Sequence, residues 1–195
     1  DFYFQKLMNI VDKTIYEDIS NFYNLKTENL TCFKKILYFL ATIPPGRVNI
    51  HNLATHLKID DRTALHYVTI LKETGLVSMI YTSKKGASLL KNPEKIFIDN
   101  TSLYHAICYG IGQEVNMGAL RELFFINALN GGGENVFYSK KIGDFTCNKL
   151  NFEIGGKGKD TKQIRGDIKN SFLVKDDILI ASKKIIPLYL FGFLY

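Results

Sequence analysis

The chain has 195 residues, of which 46% are hydrophobic, and its 25 Lys and Arg residues against 19 Asp and Glu residues give a net charge of +6. Such a chain can bury one good core or two small ones, and its moderately basic balance permits a polyanionic partner without requiring one. The longest apolar run, residues 185–195, is too short for a bilayer and contains Pro187, so the sequence predicts no membrane association.

Three widely spaced cysteines without a CxxC pair argue against a disulfide framework and a structural zinc site, and they favour a cytoplasmic location. The pattern GxxxxGK[ST] is absent, so no P-loop ATP site is expected in this chain. A helical pattern begins at once, without an initiator Met or a signal peptide. We therefore expect a fragment or processed product of a longer protein.

The first hundred residues show mainly helical periodicity. Apolar spacing predicts helices over residues 2–20 and 32–43, joined by a polar connection at 21–29, and Pro44-Pro45-Gly46 ends the second helix. Asn49 is a predicted cap for a helix to about residue 57, and Asp60 for a helix over 61–74 that Gly75 terminates. Strands are predicted at 76–81 and 95–99, on either side of a basic tip at 83–86.

This order of elements is that of a winged helix-turn-helix domain over residues 30–100, preceded by a helical linker over 1–29. The predicted DNA-binding residues are Arg62 and His66 on the second helix and Lys84 and Lys85 in the wing. Arg62 is the only strong candidate for base-edge contact, whereas the two lysines suit phosphate contact. The alternative is a winged helix that serves as a structural or protein-docking module.

The second half of the chain has an α+β pattern. Residues 101–111 are expected to cross to a second unit, and a helix is predicted over 114–130 before a triple-glycine stop. A further helix is expected to begin at 160–164. Strands are predicted at 135–139, 144–147, 150–154, 172–174, 178–181 and 188–193.

A β-hairpin with a two-residue loop at Asn148-Lys149 is predicted by the alternation of polar and apolar residues around it. In that register Phe145, Cys147, Leu150 and Phe152 share one face, and the opposite face carries Asp144, Thr146, Asn151 and Glu153. Asp144 then faces Glu153 directly. Two like charges so close are unfavourable unless a cation lies between them.

The paired carboxylates predict a Mg²⁺ site formed by Asp144 and Glu153, because Mg²⁺ is commonly bound by one or two carboxylates and a substrate phosphate. Glu122, on an otherwise apolar helix, is predicted to approach the same cation. Basic residues follow closely and could stabilise charge on a scissile phosphate: Lys157, Lys159, Lys162 and Arg165. The alternative is an ordinary solvated polar face.

Several short motifs, taken in order, resemble a known family. They are MGALRE at 117–122, FYS at 137–139, GDF at 143–145, FEIGGK at 152–157 and the ending IPLYLFGFLY at 186–195, together with IYEDI at 15–19 and Pro45-Gly46. They look like the C-terminal half of a bacterial and archaeal ATPase family that is similar to AAA+ ATPases at its N-terminal end. The resemblance covers essentially the whole chain.

The resemblance implies a winged helix followed by a domain with a PD-(D/E)xK restriction-endonuclease-like fold, a central mixed sheet and a site that acts on or near DNA. It assigns Glu122 to the helix-borne acid, Asp144 to the PD position and Glu153 to the acid of the E-x-K position. The family's ATPase module lies outside this chain and would be a partner.

The chain departs from the pattern at Gly155, where the nuclease motif has lysine, and Lys157 is the predicted replacement. Two expectations therefore stay open: a DNA nuclease with catalytic residues Glu122, Asp144, Glu153 and Lys157, or a degenerate nuclease-like domain that binds DNA without cleaving it. A third is a regulatory or oligomerisation module that binds protein rather than DNA.

Overall fold

A computed structural model of the protein describes residues 2–83 and 92–194. This part of the chain is a mixed α+β structure with seven α-helices and seven strands, of which five form one mixed sheet. Its packing divides it into two compact units. The first unit contains residues 2–79 and 95–116, and the second contains residues 117–194 and the described residues of 80–94. The predicted α+β class is confirmed, and the sequence-based domain boundaries stay a prediction.

The first unit begins with a long helical segment. Helix α1 (Phe2–Lys13) continues through a π-helical segment (Thr14–Ile19) into the short α2 (Ser20–Tyr23), and α3 covers Thr27–Thr42. Val11, Ile15 and Ile19, spaced four apart, are fully buried, so one stripe of this segment faces the core. Helix α3 begins five residues before its predicted start.

The helix pair α4 (Ile50–Leu57) and α5 (Asp61–Glu73) is capped as predicted. Asn49 Oδ1 accepts from the Asn52 amide at 2.7 Å, and Asp60 Oδ1 accepts from the Thr63 amide at 2.9 Å. Gly75 has φ +72°, the left-handed conformation common just beyond a helix end. The predicted helices and their boundaries are therefore confirmed here to within one residue.

Strands β1 (Val77–Ile80) and β2 (Lys95–Ile98) form a two-stranded sheet, and helix α6 (Thr101–Gly110) follows. This helix was expected only as a crossing segment. Asn100 caps it by accepting from the Leu103 amide at 2.8 Å, and α6 packs against α1 and α3 within the first unit.

The second unit contains helix α7 (Met117–Gly131) and the five-stranded sheet. The strands lie in chain order across the sheet, with β3–β4 and β4–β5 antiparallel and β5–β6 and β6–β7 parallel. They are β3 (Phe137–Tyr138), β4 (Phe145–Cys147), β5 (Leu150–Gly155), β6 (Ser171–Lys175) and β7 (Ile185–Pro187), with 3₁₀ segments at Lys162–Asn170 and Leu188–Phe193.

An aromatic cluster holds α7 against the sheet. The ring of Phe125, fully buried on α7, lies 6.1 Å from Phe145, 5.1 Å from Phe152 and 4.8 Å from Phe191 between centroids. Burying one such side chain contributes roughly 1.5–3 kcal/mol. The cluster therefore fixes which face of the β4–β5 hairpin points to the helix.

Two predicted strands are wrong. Residues 178–181 form no strand, and Leu179 and Ile180 are more than 80% exposed in the connection between β6 and β7. Residues 188–193 form a 3₁₀ segment whose buried residues, Leu188 and Phe191, are three apart. Both segments are apolar runs without alternation, and such runs do not distinguish strand from helix.

The predicted β4–β5 hairpin and its register are confirmed, since Phe145 pairs with Phe152, Thr146 with Asn151 and Cys147 with Leu150. Asn148 and Lys149 have φ of +49° and +67°, as a two-residue type I′ loop requires. Phe145, Cys147 and Phe152 are buried, which confirms the predicted apolar face.

No helix in the described part of the chain is both long and apolar enough to cross a membrane. The thiols of Cys32, Cys108 and Cys147 are all free.

The loop predicts a stabilising substitution. Lys149→Gly should raise the free energy of unfolding by about 1 kcal/mol, because glycine adopts φ +67° without the Cβ strain of lysine. Urea unfolding followed by circular dichroism measures the difference. Lys149→Ala removes the same charge but keeps the Cβ, so a glycine variant no more stable than the alanine variant would contradict the assignment.

Candidate functional site

The candidate site is built on the polar face of the β4–β5 hairpin, and a fixed loop leads into it. Ser139 Oγ donates to the Ile142 carbonyl at 2.6 Å and accepts from the Ile142 amide at 3.3 Å. Gly143 has φ +69°, and a Cβ there would lie 2.6 Å from the Phe152 carbonyl oxygen. Only glycine suits this position, and it fixes the backbone immediately before Asp144.

Asp144 is bound to strand β5 through both its backbone and its side chain. Its amide donates to the Phe152 carbonyl at 2.8 Å, and its Oδ2 accepts from the Ile154 amide at 2.9 Å. Counted outwards from the hairpin loop, the last regular β4–β5 pair is Phe145 with Phe152, so Asp144 lies just beyond the paired residues. The predicted direct opposition of Asp144 and Glu153 is therefore corrected: the Asp144 carboxylate accepts from a backbone amide of β5.

Glu153 is the buried acid of the site, with only 2% of its side chain exposed. Its Oε1 lies 2.5 Å from Lys159 Nζ. Burial raises the pKa of Glu153, the ion pair with Lys159 opposes that rise, and the negative charges of Asp144 and Glu122 add to it. Burial lowers the pKa of Lys159, but Glu153, Asp144 and Glu122 raise it more, so the lysine is held protonated.

Lys159 reaches Glu153 because Gly155 has no side chain. A Cβ at Gly155 would lie 2.7–2.9 Å from the Cβ, Cγ and Cδ atoms of Lys159, so the stem of the lysine occupies that space. The backbone turns tightly after β5, with the Lys159 amide donating to the Gly156 carbonyl at 3.0 Å. The side chain of Lys159 therefore passes over Gly155 to reach Glu153.

Lys157, the predicted phosphate ligand, lies elsewhere in the same turn. It is exposed, and its carbonyl accepts from Lys175 Nζ at 2.9 Å. The side chain brought to Glu153 is that of Lys159, which sequence reasoning placed only in the lysine cluster. The signal was the pair of glycines Gly156 and Gly158 on either side of Lys157, which permits a tight reversal.

Glu122 comes to the site on helix α7, where it is half-buried and acts electrostatically on both Glu153 and Lys159. Its neighbour Arg121 positions this part of the helix. The Arg121 Nε lies 2.9 Å from Asp176 Oδ2, just beyond β6, and its guanidinium would lie 3.3–3.4 Å from a Cβ at Gly156. The structure therefore brings together the predicted Glu122, Asp144 and Glu153.

The donor set suits a divalent cation only in part. Within residues 2–83 and 92–194, no three His, Cys, Asp or Glu side chains are grouped so that they hold a metal ion. Asp144 and Glu153 offer the carboxylate oxygens that Mg²⁺ takes together with a substrate phosphate. One oxygen of each already has a partner, the Ile154 amide for Asp144 and the Lys159 ammonium for Glu153.

The predicted DNA-binding residues of the first unit lie on α5. Arg62 and His66 are both exposed and are four residues apart, on one side of the helix. Lys84 and Lys85 fall outside the described residues.

Comparison with known proteins places the chain in a family described as a domain of unknown function, DUF8612, to which it belongs. The family model matches residues 3–117, which is nearly the extent of the first unit. An uncharacterized protein of Methanocaldococcus jannaschii is 26% identical over 179 residues, covering 83% of this chain and 37% of that protein. The chain thus spans little more than a third of that relative. No solved structure matches the chain.

The ion pair predicts a pH-dependent stability defect. Lys159→Met leaves Glu153 buried without its cation, which should lower the free energy of unfolding at pH 8 by about 2 kcal/mol, less than for a fully buried pair because Lys159 is one-third exposed. The folded-state pKa of Glu153 lies above its ordinary value of 4.5. The carboxylate is therefore increasingly protonated as the pH falls towards this raised pKa.

The loss should accordingly be smaller at pH 5 than at pH 8, as measured by urea unfolding at both values. Glu153→Gln combined with Lys159→Met removes both charges and should abolish the pH-dependent part of the loss. An equal loss for the single variant at both pH values would contradict the arrangement.

Proposed function

We propose that the second unit is a metal-dependent nuclease domain that cleaves DNA phosphodiester bonds, with Asp144, Glu153 and Lys159 as its central residues. The observation that carries the proposal is the buried Glu153 carboxylate, paired at 2.5 Å with Lys159 and close to two further acids. Buried charge clusters with perturbed pKa values are concentrated at functional sites. Asp144, Glu153 and a lysine are also the residue types of the PD-(D/E)xK pattern.

The architecture supports the same proposal. Helix α7 precedes an antiparallel hairpin, which is followed by a crossover to the parallel strand β6. Such a helix and a mixed sheet are what the resemblance to restriction-endonuclease-like domains implies. Glu122 belongs to α7 and Glu153 to β5, so regular elements position two of the acids, whereas Asp144 lies in the fixed loop just before β4.

Each residue has a role that follows from its contacts. Asp144, fixed through the Ile154 amide, and Glu153 are the carboxylates suited to Mg²⁺, and Glu122 adds negative charge beside them. A bound Mg²⁺ would supply polarisation of the phosphate and a lowered pKa of an attacking water. Lys159, held protonated, neutralises Glu153 in the free protein and is placed to stabilise charge on a phosphate oxygen.

We propose further that the first unit is a DNA-binding winged helix and that the chain is a part of a longer AAA+-type ATPase. The capped α4–α5 pair followed by strands β1 and β2 supports the winged helix. The greater length of the archaeal relative supports an additional module. In this proposal the ATPase module is a partner, and ATP binds there rather than to this chain.

The nuclease proposal predicts that the protein nicks supercoiled plasmid when Mg²⁺ or Mn²⁺ is present. Gel electrophoresis measures the nicked fraction. Asp144→Asn, Glu153→Gln and Lys159→Ala should each reduce the rate at least a hundredfold, because each removes a carboxylate or the ammonium from the site. Lys157→Ala is the matched control and should stay within threefold of the wild type. The nuclease proposal is rejected if the plasmid stays intact with both Mg²⁺ and Mn²⁺. It is also rejected if the Asp144→Asn variant still nicks the plasmid.

The winged-helix proposal predicts that Arg62→Ala weakens duplex binding. Loss of one phosphate or base contact should raise Kd severalfold. If the contact is to phosphate, the slope of log K against log salt concentration should also fall by about one unit. Fluorescence anisotropy over a salt series measures both quantities. Lys26→Ala, which removes the same charge before α3, is the control, and equal losses in the two variants would indicate non-specific attraction.

A second candidate function is a regulatory module that binds protein without cleaving DNA. The specific observation in its favour is that Lys159 already neutralises Glu153, so the pair can act as an internal structural ion pair. This alternative is supported if the protein neither nicks plasmid nor binds DNA with a steep salt dependence.

A further inference from the structure

Lys159 brings a positive charge into the acids of the candidate site. Its Nζ lies 2.5 Å from Glu153 Oε1, and the negative charges of Asp144 and Glu122 act on the same ammonium. These are the acids that the proposed function assigns to a divalent cation. Because a lysine ammonium is a compact positive charge, Lys159 already occupies part of the site where negative charge is concentrated.

Asp144 and Glu153 each keep one carboxylate oxygen for a further ligand. Asp144 Oδ2 accepts from the Ile154 amide and Glu153 Oε1 contacts Lys159, whereas Asp144 Oδ1 and Glu153 Oε2 accept no hydrogen bond from residues 2–83 and 92–194. Mg²⁺ takes carboxylate oxygens together with water, so the two oxygens suit it. A metal ion on Glu153 would lie beside the Lys159 ammonium, and like charges repel strongly where little water separates them. The ammonium and the metal therefore compete for Glu153.

The contacts of Lys159 allow its ammonium to leave the site. Within the described part of the chain the ammonium makes a single ion pair, with Glu153, and the side chain is 34% exposed. Its stem lies over Gly155, which has no side chain to hold it. The backbone is fixed separately, since the Lys159 amide donates to the Gly156 carbonyl at 3.0 Å. Breaking one contact thus releases the ammonium without unfolding the turn.

We propose that Lys159 holds the place of the divalent cation and leaves Glu153 when Asp144 and Glu153 bind Mg²⁺. This inference rests on the proposed metal-dependent function and adds an exchange of cations to it. Before metal binds, Lys159 compensates the buried Glu153 carboxylate. Once the metal provides that compensation, the released ammonium is able to contact the substrate phosphate.

The exchange has opposite effects on metal binding and on cleavage. Metal binds only the fraction of molecules in which Lys159 has left Glu153, so the apparent affinity is reduced by that fraction. Removing the ammonium removes this competition, but it also removes the group that acts on the phosphate. A Lys159 variant should therefore bind metal more tightly and cleave DNA more slowly. A lysine that only stabilises the fold predicts no gain in metal affinity.

The first test measures Mn²⁺ binding to the full chain at pH 8 by isothermal titration calorimetry, without DNA. Lys159→Met should bind Mn²⁺ about tenfold more tightly than the wild type, because the competing ammonium is gone. Lys157→Met removes the same charge from an exposed position in the same turn, and it should leave the affinity unchanged. Adding Glu153→Gln to Lys159→Met should abolish the gain. Circular dichroism confirms that each variant is folded.

The second test uses the wild-type chain, so it does not depend on a variant that folds. Crystals soaked in Mn²⁺ locate the metal by its anomalous scattering. We expect the metal at Asp144 and Glu153, with Lys159 Nζ beyond the ion-pair limit of about 4 Å from Glu153 Oε1, compared with the 2.5 Å found here.

The exchange is overturned if Lys159→Met binds Mn²⁺ no more tightly than the wild type, if Lys157→Met gains equally, or if Lys159 stays on Glu153 in the soaked crystals. Nicking is measured separately. A gain in affinity for Lys159→Met in a protein that never nicks DNA retains the exchange and rejects the nuclease. A wild type that nicks, together with a Lys159→Met variant that gains no affinity, retains the nuclease and rejects the exchange.

Discussion

The ion pair between Glu153 and Lys159 is the interaction on which the candidate site depends. A carboxylate that is 98% buried is costly unless a cation compensates it, and the nearby charges of Asp144 and Glu122 increase that cost. Lys159 supplies the compensation only because Gly155 leaves room for its stem and the turn at Gly156 reverses the chain. Gly155, Gly156 and Lys159 together thus offset part of the cost of burying this acid.

The hairpin determines which side chains surround that pair. Shifting the register of β4 against β5 by one residue would move every side chain to the other face. The left-handed Asn148-Lys149 loop and the ring packing of Phe145 and Phe152 against Phe125 both oppose such a shift. Packing on the apolar face therefore holds Thr146, Asn151 and Glu153 on the polar face, where the proposed ligands would bind.

The features predicted well from the sequence are those set by neighbouring residues. The caps at Asn49 and Asp60, the helix end near Gly75 and the register of the hairpin each depend on a few adjacent side chains, and each is found as expected. Helix α6 was missed although Asn100 is a local cap for it. The 3₁₀ segment at Leu188–Phe193 was missed because it packs against α7, a contact that apolar spacing alone does not reveal.

The site shows the same division between local and tertiary information. The alternation of polar and apolar residues was sufficient to place Glu153 on the polar face. It wrongly placed Asp144 directly opposite Glu153, whereas the Asp144 carboxylate accepts from the backbone amide of Ile154. Lys159 could not be chosen over Lys157 from spacing alone. The choice depends on a turn that directs one lysine back over Gly155 and leaves the other exposed.

Gly155 has a different meaning once Lys159 is considered with it. As an isolated departure from the E-x-K pattern, it removes the lysine and argues for an inactive domain. In the structure the glycine is what admits a lysine from four residues further on, so that the ammonium lies 2.5 Å from Glu153. A buried ion pair is weak as a source of stability, because well-packed apolar residues often serve a fold equally well. A buried acid with a raised pKa, a compensating lysine and the glycine that admits it occur together here, and this combination supports the proposed chemical role of Glu153.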